Sequence, residues 1–479
     1  MSSIGTEFID RFAGGLKDLA VQLFGTNDKP ALIVGIIINS LMLGALFGLV
    51  ARRWFWLGAI GFAGFGAVGL WAYTRDPLGS TTTGLLAAVI AVAVGVASLW
   101  ALLRVAPRRA AVTDRDADHS DAHTGTRRRT FLAAALVAIA GAAGSSVLGR
   151  KLRAGNISEA ARADVALPRA GTSAGVPDRQ PFSPEGLSPY VTPNAEFYRI
   201  DTALIVPQVD IDAWSLEISG MVDSPFSISY DELLEMESVE ETVTLQCVSN
   251  EVGGRLVDNA VWQGVPLQAL LDRAGVQAGA TQVVGRSLDD FTAGFPTDVA
   301  LDGRVALVAY AMNGEPLPVE HGFPARLVVA GLYGYVSATK WLRQIELTSW
   351  EDFDGYWITR GWAKEGPIKT MSRIDVPASS ARLAAGPTPV AGVAWAPTRG
   401  IERVEVQIDD GEWQECRLGE VASDNTWVQW LYEWDARPGE HTIRARATDR
   451  GGETQTDAVE PPIPSGATGW HSRRVRVTG

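Results

Sequence analysis

Cys247 lies in Thr-Leu-Gln-Cys-Val-Ser-Asn-Glu-Val-Gly-Gly, a lone thiol just after Thr242 to Leu245, which alternate in the manner of a β-strand. A strand delivers the sulfur on rigid backbone, and Gly253 and Gly254 would let a large ligand approach the main chain closely. A soft thiolate so placed suits a soft transition metal. The ordinary alternative for an isolated cysteine is a small buried hydrophobe. The chain has 2 cysteines, Cys247 and Cys416, so at most one disulfide can form. Both are expected to be unpaired, with Cys416, far from any ligand candidate, serving in packing.

A second group lies further on, in His321-Gly-Phe-Pro-Ala-Arg326-Leu-Val-Val-Ala-Gly331-Leu-Tyr-Gly334-Tyr-Val-Ser-Ala-Thr-Lys340-Trp341-Leu. Each basic residue alone has an ordinary explanation: a structural histidine beside a turn, or a solvated ion-pair partner. Together, cationic donors beside glycine backbone suit a phosphate joined to a fused heterocycle, because Arg offers a bidentate fork and glycine leaves amides accessible.

These residues need a scaffold. Ser215 to Gly220 and Phe226 to Ser229 read as strands, and Ser229 to Met236 as a short helix capped by Ser229 with Glu232 three residues on. Pro266 to Ala274 reads as a helix stopped by Gly275. Val305 to Met312 is an apolar strand ending at an Asn313-Gly314 turn, and Arg326 to Ala330 and Leu342 to Leu347 are further strands. Strands and short helices in irregular order predict an α+β domain over 185–377. Beyond Pro377 helix signals fade. Alternation at Val404, Val406 and Ile408, over Trp427 to Trp434, and at Ile443, Ala445 and Ala447 predicts an all-β sandwich over 378–479.

The chain resembles the sulfite oxidase family of molybdenum enzymes. The resemblance rests on Thr-Pro-Asn at 192–194 with Phe197-Tyr198, the cysteine segment, and His-Gly-Phe-Pro-x-Arg with its following Lys-Trp, and it spans about residues 185–479. The trailing sandwich resembles the family's immunoglobulin-like dimerisation domain. The resemblance implies a mononuclear molybdenum held by a pyranopterin dithiolene (molybdopterin) and by the sulfur of Cys247. It also implies cofactor contacts from His321 and Arg326, from Ala338, Thr339 and Lys340, from Asp289, and from Asn194, Tyr198 and Arg199. Two departures bear on the substrate. Sulfite-oxidising members follow the cysteine with Asn-Arg-Arg, where this chain has Asn250-Glu251-Val252, and Trp362 stands where they carry an active-site tyrosine. Arg360, Lys364, Lys369 and Arg373 would restore positive potential at the mouth, or else form a solvated basic stretch.

Charge divides the chain. Residues 1–153 carry 16 Lys and Arg against 9 Asp and Glu, whereas residues 154–479 carry 26 against 46. So acidic a body excludes nucleic-acid binding, which needs a basic face. The basic part holds three uncharged apolar runs, 31–50, 54–73 and 83–103, each long enough to span a bilayer, and a shorter Ala- and Gly-rich fourth, 131–148. Together they predict an N-terminal all-α membrane domain over 1–153. Arg52 and Arg53, and Arg104, Arg108, Arg109 and Arg127 to Arg129, put two loops in the cytoplasm, so both termini and the acidic body face outward. Thr126-Arg-Arg-Arg-Thr-Phe-Leu132 reads either as a twin-arginine export signal or as a span anchor. Residues 154–184 read as a linker that leaves the body's orientation free. No histidine lies in the four runs, so no membrane haem is expected.

The expectation is a multi-pass protein of the bacterial cytoplasmic membrane that moves an oxygen atom to or from a small sulfur- or nitrogen-centred oxo compound, as in sulfite oxidation or sulfoxide reduction. Cys247, Trp362 and Arg360 would line its chemistry. Electrons would pass to a separate carrier, quinone-linked or a cytochrome, and the molecule could form a homodimer. The alternative is a non-enzymatic extracytoplasmic scaffold or adhesion module that keeps the fold without metal.

Overall fold

In the computed structural model, the described residues are 28–74, 81–105, 157–173, 175–177, 182–203 and 206–479. The chain divides into two compact units, one of Met1–Asn156 with Ala203–Val206, the other of Ile157–Thr202 with Pro207–Gly479.

The first unit contains the helices Asp28–Ala51, Phe55–Thr74 and Thr81–Val105, which cover the three apolar runs. One segment among the described residues, Gly84–Arg104, is long and apolar enough to cross a membrane; Ile37–Ala51 and Phe55–Trp71 are shorter apolar helices. Large apolar side chains such as Leu41, Leu49, Trp56 and Ile90 are exposed on these helices. The fourth run and Arg127 to Arg129 lie outside the described residues.

In the second unit, two sheets form an α+β body. The first runs in the order Thr172–Ser173, Val239–Gln246, Val257–Pro266, Ala306–Met312, Arg326–Val329. It is antiparallel apart from the short parallel pairing of Thr172 with Val239. The second runs Phe226–Ser229, Ser215–Gly220, Leu342–Thr348, Gln282–Ser287, Thr292–Pro296, with a parallel pair between Ser215–Gly220 and Leu342–Thr348. The helix Tyr230–Glu235 begins with the capping box read from the sequence: Ser229 accepts from the Glu232 N–H, and Glu232 accepts from the Ser229 N–H. Leu267–Ala274 ends at Gly275 in the left-handed conformation, where glycine has no Cβ to clash.

Two further sheets, of four and five strands, enclose a core of Val390, Val404, Val406, Trp430, Ile443, Ala445 and Val475. Cys416 is a free thiol in this core, as expected. The α+β core is not confined to its own sheets. Trp395 and Trp427 from the sandwich are buried within it beside Leu216, Val308 and Tyr333. At about 1.5–3 kcal/mol for a fully buried large side chain, these two indoles make the junction a substantial part of the stability.

The described residues of 154–184 are tied to the body, where prolines and small residues had suggested a free linker. Within them, Ile157–Asp164 is a helix and Thr172–Ser173 extends the first sheet. Ser158 is buried and exchanges hydrogen bonds with the backbone of Val209, and Arg162 donates to the carbonyls of Pro316 and Leu317. Gln263 donates to the Pro168 carbonyl, so a residue unable to give a backbone N–H still ties the segment down as an acceptor.

Candidate active site

The thiol strand Val239–Gln246 ends one residue before Cys247, and the loop that follows turns back at once. The Cys247 N–H donates to the Leu256 carbonyl at 2.9 Å, and the Leu256 N–H returns to Asn250 Oδ1 at 2.8 Å. Cys247 is 7 % exposed, with Sγ 3.0 Å from Ser249 Oγ. Burial pushes its pKa up, against the smaller lowering effect of the Ser249 hydroxyl. Gly253 and Gly254 have a packing role of their own. A Cβ on Gly253 would lie 2.2 Å from His471 Nε2, and one on Gly254 would lie 2.5 Å from Asn250 Oδ1. On the side where a Cβ would point, they make room for protein atoms.

Opposite the thiol are the residues of the early loop and of the His-to-Lys stretch. Tyr198 stacks on Phe197, and the backbone of Gly334 passes its hydroxyl and the Gln246 carbonyl closely enough that a Cβ there would be 3.7 Å and 3.8 Å away. Burial raises the Tyr198 pKa, and the nearby Cys247 thiol raises it further. His321 packs edge-on against Phe197, and its Nε2 is 3.0 Å from the Asn194 carbonyl oxygen. Burial, and then the charge of Arg326, lower its pKa to about 4, so it is neutral at physiological pH. Asn194 itself is fixed between Met312, Asn313 and Glu315.

Arg326 carries the clearest electrostatic signature. It is 5 % exposed, donates to the His321 carbonyl at 3.1 Å and lies over the Trp262 ring at 4.9 Å. Among the described residues no carboxylate is within ion-pair distance of it, and burial depresses its pKa to about 10. A buried guanidinium without a counter-ion is costly, and an anionic ligand would relieve that cost. Asn250 offers a second open valence: its Nδ2 is buried with no hydrogen-bond partner, on a residue whose N–H donates to the Cys247 carbonyl.

Lys340 is also buried, but it is paired. Its Nζ donates to Asp201 Oδ2 at 3.0 Å and to the Glu320 carbonyl at 3.1 Å, and burial, opposed by Asp201, brings its pKa down to about 8. Asp201 also accepts from Arg199 at 2.8 Å. Asp289 is close enough to feel both Asp201 and Lys340, and burial raises its pKa. Thr339 is fully buried with its hydroxyl turned to the Gly285 carbonyl, and Ala338 closes the short helical turn with an N–H to Gly334. Their side chains pack, leaving backbone as what this turn can offer a ligand.

Trp362 joins the site through Tyr335, with ring centroids 5.9 Å apart, and through Trp357 at 6.4 Å. Arg360 is exposed and lies 3.5 Å over the Tyr356 ring while donating to the Tyr356 carbonyl. The three other basic residues expected at the mouth are committed elsewhere. Lys364 is bound by Trp350, Phe353 and Asp354; Lys369 by the Gly466 carbonyl; and Arg373, buried, by Asp375, Gly254 and Ser188. Arginine forks and lysine tips find carbonyls and carboxylates wherever the fold presents them, which a run of basic residues in sequence does not reveal.

The sequence reading missed Asp201, Ser249, Trp262 and Asp258. The last is 9 % exposed, opposite Leu245 in the sheet, and accepts from the Thr192 hydroxyl at 3.2 Å and the Tyr198 N–H at 2.6 Å. Burial pushes its pKa up to about 6, in spite of both hydrogen bonds. An acid inside an apolar strand was the available signal.

Residues 203–357 match the family model of the oxidoreductase molybdopterin-binding domain. Mitochondrial sulfite oxidase of Macaca fascicularis is 32 % identical over 320 residues, covering 57 % of this chain and 58 % of that protein, so the chain spans less than two thirds of it. An uncharacterised oxidoreductase of Bacillus subtilis (strain 168), YuiH, is 38 % identical over 157 residues, which is 33 % of this chain and 76 % of that protein. In fold, the chain is similar to the sulfane dehydrogenase SoxCD from Paracoccus pantotrophus, with a TM-score of 0.53 at 21 % identity, over 63 % of this chain and 88 % of that one.

Proposed function

Since the chain belongs to the sulfite oxidase family of molybdopterin-dependent oxidoreductases, we propose that it transfers an oxygen atom to or from a small sulfur- or nitrogen-centred oxo compound, with Cys247 as the protein ligand of molybdenum. The observation that carries this reading is that one buried thiol, Cys247, and the buried Arg326, with no carboxylate at ion-pair distance among the described residues, both lie near enough to the Tyr198 hydroxyl to act on it. Among the described residues no cluster of three or more His, Cys, Asp or Glu could hold a metal by itself, which agrees with an ion brought by an organic group and fixed by one sulfur.

The donor set fits that group. Arg326 would meet its phosphate, His321 and Tyr198 would border the pterin with Asn194, and the backbone at Gly334 to Lys340 would come close to it. Arg199 and Asp289 act at one remove, through Asp201 and Lys340. When bound, the molybdenum–pterin group supplies the oxygen-atom exchange and accepts or releases electrons. The chain's contribution is to present the sulfur, hold His321 neutral so that it accepts or donates a hydrogen bond without adding charge, and line the entrance with Trp357 and Trp362. Because Lys364 and Arg373 are paired with Asp354 and Asp375, the site carries less free positive charge than the sequence suggested, which favours a neutral oxo compound over dianionic sulfite.

The location proposed is a bacterial cytoplasmic membrane, with the apolar helices in the bilayer and the acidic body outside. The exposed apolar side chains of those helices and the clustered arginines after them support this. Electrons would leave to a separate quinone-linked or cytochrome carrier, and the immunoglobulin-like sandwich would support a homodimer.

Metal analysis tests the core of the reading. Purified protein from a cofactor-competent host should carry close to one molybdenum per chain, and Cys247→Ser should lose it; metal-free wild type would remove the enzyme reading. Steady-state assays with artificial electron carriers then separate substrates. Sulfoxide reduction without sulfite oxidation is the expected result, and activity on sulfite alone would refute the preference for a neutral substrate.

A further inference from the structure

The sandwich reaches the thiol from more than one direction. At the free edge of the thiol strand, the Thr244 N–H donates to the Asn425 carbonyl at 2.9 Å, and the Thr244 hydroxyl accepts from the Trp427 N–H at 2.7 Å. One residue before the cysteine, Gln246 is 2 % exposed, and its Oε1 accepts from the Trp395 indole at 2.8 Å. On the far limb of the loop, the His471 ring is packed so tightly under Gly253 that no side chain could fit there. His471 Nδ1 accepts from the Ile374 N–H at 2.8 Å, which puts the ring hydrogen of the neutral imidazole on Nε2, the atom facing Gly253. Beside it, Arg373 Nη1 donates to the Gly254 carbonyl at 3.0 Å, with the same guanidinium held by Asp375 and Ser188.

Gln246, immediately before Cys247, and Gly253 and Gly254, on the far limb of its loop, are thus held by residues of the strands Met371–Val376, Gly386–Trp395 and His471–Thr478, and the hydrogen bonds from Cys247 to Leu256 and from Leu256 to Asn250 are the loop's own contribution. We infer that the C-terminal sandwich is a positioning element for the Cys247 sulfur, acting through Trp395 on Gln246 and through His471 and Arg373 on Gly253 and Gly254. None of these residues needs to touch a ligand. They set where the sulfur can be, in the way that outer-shell partners orient the groups that do bind.

The inference rests on Cys247 being the site's functional sulfur, but its test does not depend on metal. In full-length protein purified from a host that makes no cofactor, and carrying Cys416→Ser so that Cys247 is the one thiol, the rate of alkylation by iodoacetamide reports how freely the loop opens. His471→Ala and Trp395→Phe should each raise that rate at least about fivefold while Tm falls by only a few degrees, because a local opening becomes easier without global unfolding. Trp395→Phe keeps an aromatic ring but loses the N–H and part of the indole's volume, and as a second, independent variant it guards against a His471 variant that fails to fold. Rates within about twofold of the parent in both variants, or increases that merely follow the loss of global stability, would overturn the inference. Molybdenum content of Cys247→Ser, measured separately, tells whether the underlying reading failed instead.

Discussion

Arg326 is the residue on which the electrostatics of the site turn. Among the described residues it is a buried cation with no carboxylate at ion-pair distance, and its desolvation works against folding. With a phosphate bound, the same charge becomes a source of affinity. Arg326→Met therefore has opposite effects in the two states. The cofactor-free protein should gain about 2–4 °C in Tm, from the lifted desolvation penalty, while molybdenum and pterin content after expression in a competent host should fall at least about tenfold. Scanning calorimetry with metal and pterin analysis checks both arms, and a fall in apo Tm would mean that the guanidinium's hydrogen bond to His321 and its stacking on Trp262 outweigh its burial. The sequence made Arg326 conspicuous because it stands beside glycines and follows a histidine. Nothing in it showed that Lys340, equally conspicuous, would be neutralised by Asp201, since that pairing closes only when the chain folds.

Among elements, the thiol strand and its loop show what was legible and what was not. Alternation over Thr242 to Leu245 marked the strand, and Ser229 with Glu232 marked the neighbouring helix start, because those signals are local. The purpose of Gly253 was hidden, because the ring that requires it comes from the last strand of the chain. Gly253→Ala combines a left-handed φ of +76° with that steric conflict and should cost about 1–3 kcal/mol. In a double-mutant cycle with His471→Ala, part of this cost should vanish, since removing the ring relieves the collision but not the backbone strain. Strictly additive Tm changes would place the whole effect in the backbone. The same contrast explains residues 157–173: their composition resembles a tether, yet the Pro168 carbonyl meets Gln263 on the strand Val257–Pro266 and the buried Ser158 meets the backbone of Val209.

At the scale of the whole molecule, the charge asymmetry and the apolar helices set a topological expectation that can be tested without knowing the substrate. Replacing Arg128 and Arg129 by Lys preserves the positive charge that orients spans and removes the side chains that a twin-arginine translocase reads. Accumulation of the acidic body in the cytoplasm, measured by protease protection in spheroplasts, is the expected outcome. Normal delivery would leave those arginines as anchors. The α+β body and the sandwich were each foreseeable from strand periodicity, because period-2 patterning is written in every strand; their shared core was not, because no local pattern says that Trp395, at the end of a sandwich strand, and Trp427, just before another, are buried with the residues of the α+β sheets.

Those two indoles have a practical corollary for anyone who would treat this protein as separable parts. A cut near residue 377 follows a visible change in sequence texture, but it leaves two tryptophan-sized gaps in the piece that is kept and bares apolar surface on the piece that is removed. Swapping in a relative's sandwich would succeed only if it brought indoles of matching shape to the same two places.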